Sequence, residues 1–183
     1  MFPLPIIFQP RKYISHLLIL LCIIVSIFGF LKPEVIQMFW FSRASEWNLI
    51  HFLLQIVLFQ FLHGNLLHLF LNIYFLYSAW PELEVRMKKK KYIYFFIMTT
   101  LFVSLSLFIF SPSTLTVGIS GFCMALLSYL WVDLYTLRNP ASNQILIMLV
   151  INILLGFSSS ISFTAHAAGA VWWVIWWYMR KKW

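Results

Sequence analysis

Between Tyr92 and Val132 the chain runs for 41 residues without an aspartate, glutamate, lysine or arginine, and it does so again for 41 residues between Asn139 and Met179. Two further uncharged runs, Ile14 to Leu31 and Trp47 to Pro81, cover 18 and 35 residues. One bilayer crossing takes about 20 apolar residues, so these runs dictate an all-α membrane protein before any motif is considered. Composition agrees: 10% of residues are charged and mean hydropathy is +0.88, against roughly 25% charged in an average soluble domain.

Turn-rich stretches divide the long runs. "SPSTLTVG" (Ser111 to Gly118) interrupts the third and "GFSSS" (Gly156 to Ser160) the fourth, and a continuous spanning helix would carry neither. The second run is too long for one span, and its first half holds His51, Gln55 and Gln60, which suits a segment lying at the interface. Six spanning helices follow, near 14–31, 65–86, 92–110, 120–137, 144–157 and 164–180, the fifth shorter than the rest. Basic loops stay cytoplasmic. With both termini inside, eleven of the thirteen basic residues are cytoplasmic (Arg11, Lys12, Arg86, Lys88 to Lys91, Arg138, Arg180, Lys181 and Lys182), leaving Lys32 and Arg43 outside. The net charge of +8 is then topological bias and contact with anionic lipid, with no call for nucleic acid.

The first apolar run follows Arg11 and Lys12 but ends in "FLKPEV" without a small-residue cleavage site, so it reads as a retained anchor. Cys22 and Cys123 both fall in spans, which argues against a disulfide framework. No repeat, linker or glycine-rich phosphate loop is present, and residues 1–183 are expected to form a single transmembrane domain.

Polar residues gather at one end of three parallel helices. His63, His68 and Asn72 open the second, "GISG" (Gly118 to Gly121) opens the fourth, and "TAHAAG" (Thr164 to Gly169) opens the sixth. Ionisable groups inside a membrane are rare and face partners in the bundle interior. A lone histidine such as His16 or His51 is adequately explained by a carbonyl partner; three clusters at one depth are not.

Metal chemistry fits poorly. On a single helix His63 and His68, five residues apart, would diverge by about 140°, and all five acids (Glu34, Glu46, Glu82, Glu84, Asp133) lie outside the cluster. Neither a metal nor another cofactor is therefore expected. Nucleophilic catalysis fits better. Ser120 lies between Gly118 and Gly121 at a helix N-terminus, where free amides can bind an oxyanion, although Gly-x-Ser-Gly also serves helix packing. His166 is predicted at the same depth and can activate the serine. Asp133 is thirteen residues further along the same helix, roughly 20 Å away, so a Ser120 and His166 dyad is expected rather than a triad. His68 and Asn72, about 40° apart on a helix, share a face and suit an oxyanion site. Cys123 reads as small apolar filler, and "VWWVIWWYMRKKW" as an aromatic belt beside basic anchors.

These residues resemble those of the rhomboid intramembrane serine proteases: H-x4-H-x3-N at His63, His68 and Asn72, then "GISG", then "AHAAG", in order on helices two, four and six of a minimal six-helix bacterial-type core. "EVR", Glu84 to Arg86, is similar to the acidic and basic pair at the cytoplasmic end of rhomboid helix two. The resemblance implies an endopeptidase of the bacterial inner membrane that cleaves transmembrane protein substrates. Ser120 would be nucleophile and His166 general base and acid. His68, Asn72 and Gly118 would line the oxyanion and substrate-binding site, with His63, Gly121 and Gly169 in support. It also implies lateral substrate access through movement of helix five and the loop after helix four. Departures are visible too. Leu54 and Gln55 stand where many rhomboids have tryptophan and arginine, Met124 replaces the aromatic that packs on the catalytic histidine, and Trp173 occupies the second position of the glycine repeat begun by Gly169. Another brace for His166 is therefore expected, and Trp173 argues against close packing of helices four and six at its level. These departures leave open a specialised branch, such as the rhombosortases that trim C-terminal sorting anchors. An inactive relative that binds transmembrane clients, or a small histidine-lined transporter, is the alternative function.

Overall fold

A computed structural model describes residues 13–42, 48–111, 114–157 and 161–180, with the side chains of 79–82 and 178–180 left aside. Among the described residues there are eight α-helices: α1 (Ile14–Leu31), α2 (Pro33–Phe39), α3 (Leu49–Leu58), α4 (Leu66–Met87), α5 (Lys89–Phe110), α6 (Ser120–Thr136), α7 (Ala141–Leu155) and α8 (Phe163–Arg180). The only pairing of extended chain among them is an isolated bridge between Phe41 and Thr116. Six of the helices match the sequence expectation closely. α2 is an addition: Pro33 cannot continue α1 but suits a helix's first turn, and the chain folds back there until Ile36 lies against Gly29. The basic residues Arg11, Lys12, Arg43, Lys181 and Lys182 lie outside the described residues.

α6 is the central helix, with Gly121 to Tyr129 buried without interruption, and it packs against α4, α5, α7 and α8. The surrounding helices bury one stripe each. On α4 the stripe is Leu69, Asn72, Leu76, Leu83 and Met87, while Leu66, Leu67, Phe70, Leu71, Tyr74 and Tyr77 face outward. α7 is peripheral and buries only Ser142 and Leu149. A periphery of exposed Leu, Ile and Phe around a centre holding serines, histidines and an asparagine reverses the usual arrangement in water, and suits lipid as the solvent. α1 and α5 are each long and apolar enough by themselves to cross a bilayer.

Lipid tails are as apolar as leucine, so burial does little to hold such helices together; packing and hydrogen bonds must do it. The α1 N-terminus shows how. Tyr13 provides no side-chain cap. The Glu84 carboxylate reaches across from α4 instead, accepting from the backbone amides of Ile14 (2.7 Å) and Ser15 (3.0 Å) and from the Ser15 hydroxyl (2.8 Å). Ser15 also contacts the Tyr92 hydroxyl on α5, so one buried carboxylate joins three helices. Nearby, Arg86 pairs with Asp133 of α6 at 2.8 Å in a more exposed setting.

Turn chemistry sets the remaining directions. α4 and α5 reverse through Lys88 alone, at φ +66°. Asn48 and Asn65 cap α3 and α4 by accepting from the amides of His51 (2.9 Å) and His68 (2.8 Å). Glu84→Gln, which leaves one acceptor oxygen facing three donors, is expected to cost about 1–3 kcal/mol. Asp133→Asn, at a partly exposed pair, should cost under about 1 kcal/mol. Thermal unfolding of the purified variants in detergent checks both.

Candidate active site

The site is built where the first turns of α4, α6 and α8 meet. Asn65 caps α4, so the helix begins at Leu66 and His63 stays in the preceding loop. The divergence of about 140° expected for two residues on one helix therefore does not apply. His63 and His68 instead meet edge to face, with ring centroids 5.0 Å apart. His63 is fully buried, and His68 is partly exposed.

Gly118 makes this meeting possible. Its φ of +111° is closed to most side chains, and a β-carbon there would lie 2.8 Å from His68 Cε1 and 2.9 Å from Nε2. Its amide is donated to the Phe59 carbonyl at 2.9 Å, so Gly118 contributes shape rather than a free donor. Two residues later α6 begins, and its N-cap, Ile119, has no side-chain bond to the first turn. The amides that open α6 are thus left for another acceptor. Ser120 stands among them, partly exposed.

Asn72 is buried and held at both ends of its carboxamide. Nδ2 donates to the His68 carbonyl at 2.9 Å, and Oδ1 accepts from Cys123 Sγ at 3.8 Å. Cys123, read from the sequence as filler, therefore turns the Asn72 oxygen toward α6, leaving the second amide hydrogen for a ligand.

His166 enters on the first turn of α8, where Ser162 Oγ accepts from the Ala165 amide at 3.2 Å. The sequence suggested no brace for it once Met124 replaced an aromatic. The structure supplies one from α7: His166 Nδ1 lies 2.8 Å from the Asn152 carbonyl. That carbonyl is available because the Gly156 amide closes tightly on Ile153 O at 3.0 Å, not on the residue four back. A carbonyl only accepts, so Nδ1 carries the proton and Nε2 the lone pair. Among the described residues no hydrogen bond joins Ser120 and His166.

What sets their helices side by side is a contact without side chains. A β-carbon on Gly169 would fall onto the Gly121 carbonyl, and one on Gly121 would lie 3.2 Å from the Ala165 carbonyl. Trp173, expected to oppose this packing, is accommodated one turn away against Tyr129 (centroids 4.1 Å apart) and Phe95 (6.2 Å). Asp133, paired with Arg86, is far down α6. Gln55, standing where an arginine was expected, is buried and donates to the Met38 carbonyl at 3.2 Å, and so fastens α3 to the end of α2.

Three helix starts thus bring a serine, a tethered imidazole and an asparagine carboxamide to one end of an all-helical bundle. Residues 51–182 match the rhomboid domain family, and the chain belongs to that family. It is thus an integral membrane protein of a family of intramembrane proteases. No curated protein matches its sequence.

Gly169→Ala must force α6 and α8 apart and is expected to cost roughly 1–3 kcal/mol. Val171→Ala, on the exposed face of the same helix, should stay within about 0.5 kcal/mol. Unfolding midpoints in detergent separate the two.

Proposed function

We propose that this chain is an intramembrane serine endopeptidase that cleaves transmembrane segments of membrane proteins with a Ser120 and His166 dyad. The observation that carries this reading is the bond from His166 Nδ1 to the Asn152 carbonyl. In serine hydrolases a third group usually holds the histidine so that its other nitrogen is the base. Here a backbone oxygen takes that part, in a protein whose acids all lie elsewhere.

In the proposed reaction Ser120 Oγ attacks the scissile carbonyl carbon while His166 Nε2 takes its proton. The carbonyl oxygen becomes an oxyanion held by the α6 amides, Asn72 Nδ2 and His68. The imidazolium then protonates the departing amine, and water, activated by the same nitrogen, releases the acyl group from Ser120. The Ser120 to His166 hydrogen bond forms in the substrate complex, as catalytic contacts that are loose in a free enzyme often do. His63, Gly118, Gly121 and Gly169 shape the site without touching the reacting atoms.

We further propose that residues 1–183 form one domain whose six spans are α1, α4, α5, α6, α7 and α8, with both termini cytoplasmic, in a bacterial inner membrane. The partition of basic residues supports this orientation. Peripheral α7, which buries so little of itself, fits the lateral access that transmembrane substrates need.

A fluorophosphonate probe tests the nucleophile. Labelling of wild type should be lost in Ser120→Ala and in His166→Ala, each still folded, together with cleavage of a reporter transmembrane protein followed by mass spectrometry. Cleavage that persists in Ser120→Ala would sink the assignment, and a folded wild type that neither labels nor cleaves points to a client-binding relative. Asn72→Ala should lower kcat by about 10²–10³-fold, the usual worth of one oxyanion donor, with KM little changed. An effect confined to KM removes Asn72 from the oxyanion site.

A further inference from the structure

α1 lies outside the matched residues 51–182, yet it sends one polar side chain to the edge of the site. Ser26, in the second half of α1, is completely buried. Its hydroxyl is 2.9 Å from the Phe61 carbonyl and 2.9 Å from His63 Nδ1. A hydroxyl has one hydrogen and a carbonyl only accepts, so Ser26 donates to Phe61 and accepts from His63.

This assigns the tautomer of His63: Nδ1 bears the hydrogen and Nε2 the lone pair. That Nε2 is buried and has no hydrogen-bond partner among the described residues. An acceptor left that way costs free energy unless something donates to it. The ring stands edge to face on His68, and Cδ2, the carbon bonded to Nε2, lies 3.8 Å from where a Gly118 side chain would begin. The unused acceptor is therefore at the back of the proposed oxyanion pocket.

We propose that Ser26 is a positioning residue for that pocket, acting through His63. Held by Ser26, the His63 ring keeps its proton on Nδ1, presents the Nε2 lone pair at the back of the pocket, and stays edge to face against His68. Without the Ser26 hydroxyl, Nδ1 loses its acceptor, the proton can move to Nε2, and the ring that backs His68 is no longer fixed. The catalytic part of the proposal rests on the protease reading above; the tautomer part stands without it.

The test uses the full chain in detergent micelles with ¹⁵N-labelled histidine. Wild type and Ser26→Thr should show His63 as the Nδ1–H tautomer, and Ser26→Ala should show a mixture with Nε2–H. On a reporter transmembrane substrate, Ser26→Ala should lower kcat about tenfold, the worth of one ordinary hydrogen bond, with KM unchanged and with Ser26→Thr restoring it. An Nε2–H tautomer for His63 in wild type overturns the proposal at once. A Ser26→Ala variant with full kcat and only a lower unfolding temperature also overturns it, because Ser26 then merely fastens α1. Absence of Ser120-dependent cleavage in wild type removes the protease reading and the oxyanion role with it, while the tautomer measurement still decides what Ser26 does to His63.

Discussion

The approach of α6 to α8 at Gly121 and Gly169 is the constraint on which the site depends. In water, two such helices could be held by burying leucines between them. In lipid that gain is largely absent, and backbone proximity with its dense van der Waals contact takes its place. A β-carbon at Gly169 has no room beside the Gly121 carbonyl, so the separation of the two helices is set by the main chain itself. Ser120 adjoins one glycine, and His166 lies one turn before the other. Their mutual placement is thereby independent of flexible side chains, and Trp173 can pack one turn away against Tyr129 without changing it.

The same solvent explains how the imidazoles are oriented. A polar atom with no water nearby must find a protein partner, and each buried histidine finds one for Nδ1: Asn152 O for His166 and Ser26 Oγ for His63. One bond per ring selects one tautomer and leaves Nε2 free in both. A dyad lacking an acid is therefore not a histidine lacking an orienting group. The carbonyl that serves His166 comes from the last turn of α7, where unpaired carbonyls are a general property of helix ends. The cause is geometric: α7 ends beside α8, with the backbone of Phe163 lying against Gly156.

Much of this was legible in the sequence because it was carried by residue type. Charge-free runs located the helices, and Asn, His and Gly in apolar surroundings marked the three helix starts that converge. What escaped was carried by backbone atoms or by pairings distant along the chain. No pattern announces that Asn152 will offer its carbonyl, since its side chain is occupied with Met148 O. The 140° separation of His63 and His68 holds only where one helix carries both, and Asn65, a strong cap, starts α4 after His63. Cys123 and Ser26 looked like small fillers because each partner, Asn72 and His63, lies tens of residues away in sequence.

α1 shows how a helix outside the matched region becomes part of the working structure. It is fastened at two levels by polar bonds, to Glu84 at its start and to His63 and Phe61 near its end, and both levels connect to elements that bear on the site. Glu84 is on α4, the helix that also carries His68 and Asn72; His63 and Phe61 are in the loop that leads into it. α4 is thus held from two sides. α6 grips it through Cys123 on Asn72 and Asp133 on Arg86, and α1 grips its end at Glu84 and the loop before its start at His63. The proposed dyad is set by main-chain contact between α6 and α8, whereas the helix that carries His68 and Asn72 is set by polar bonds to both α6 and α1.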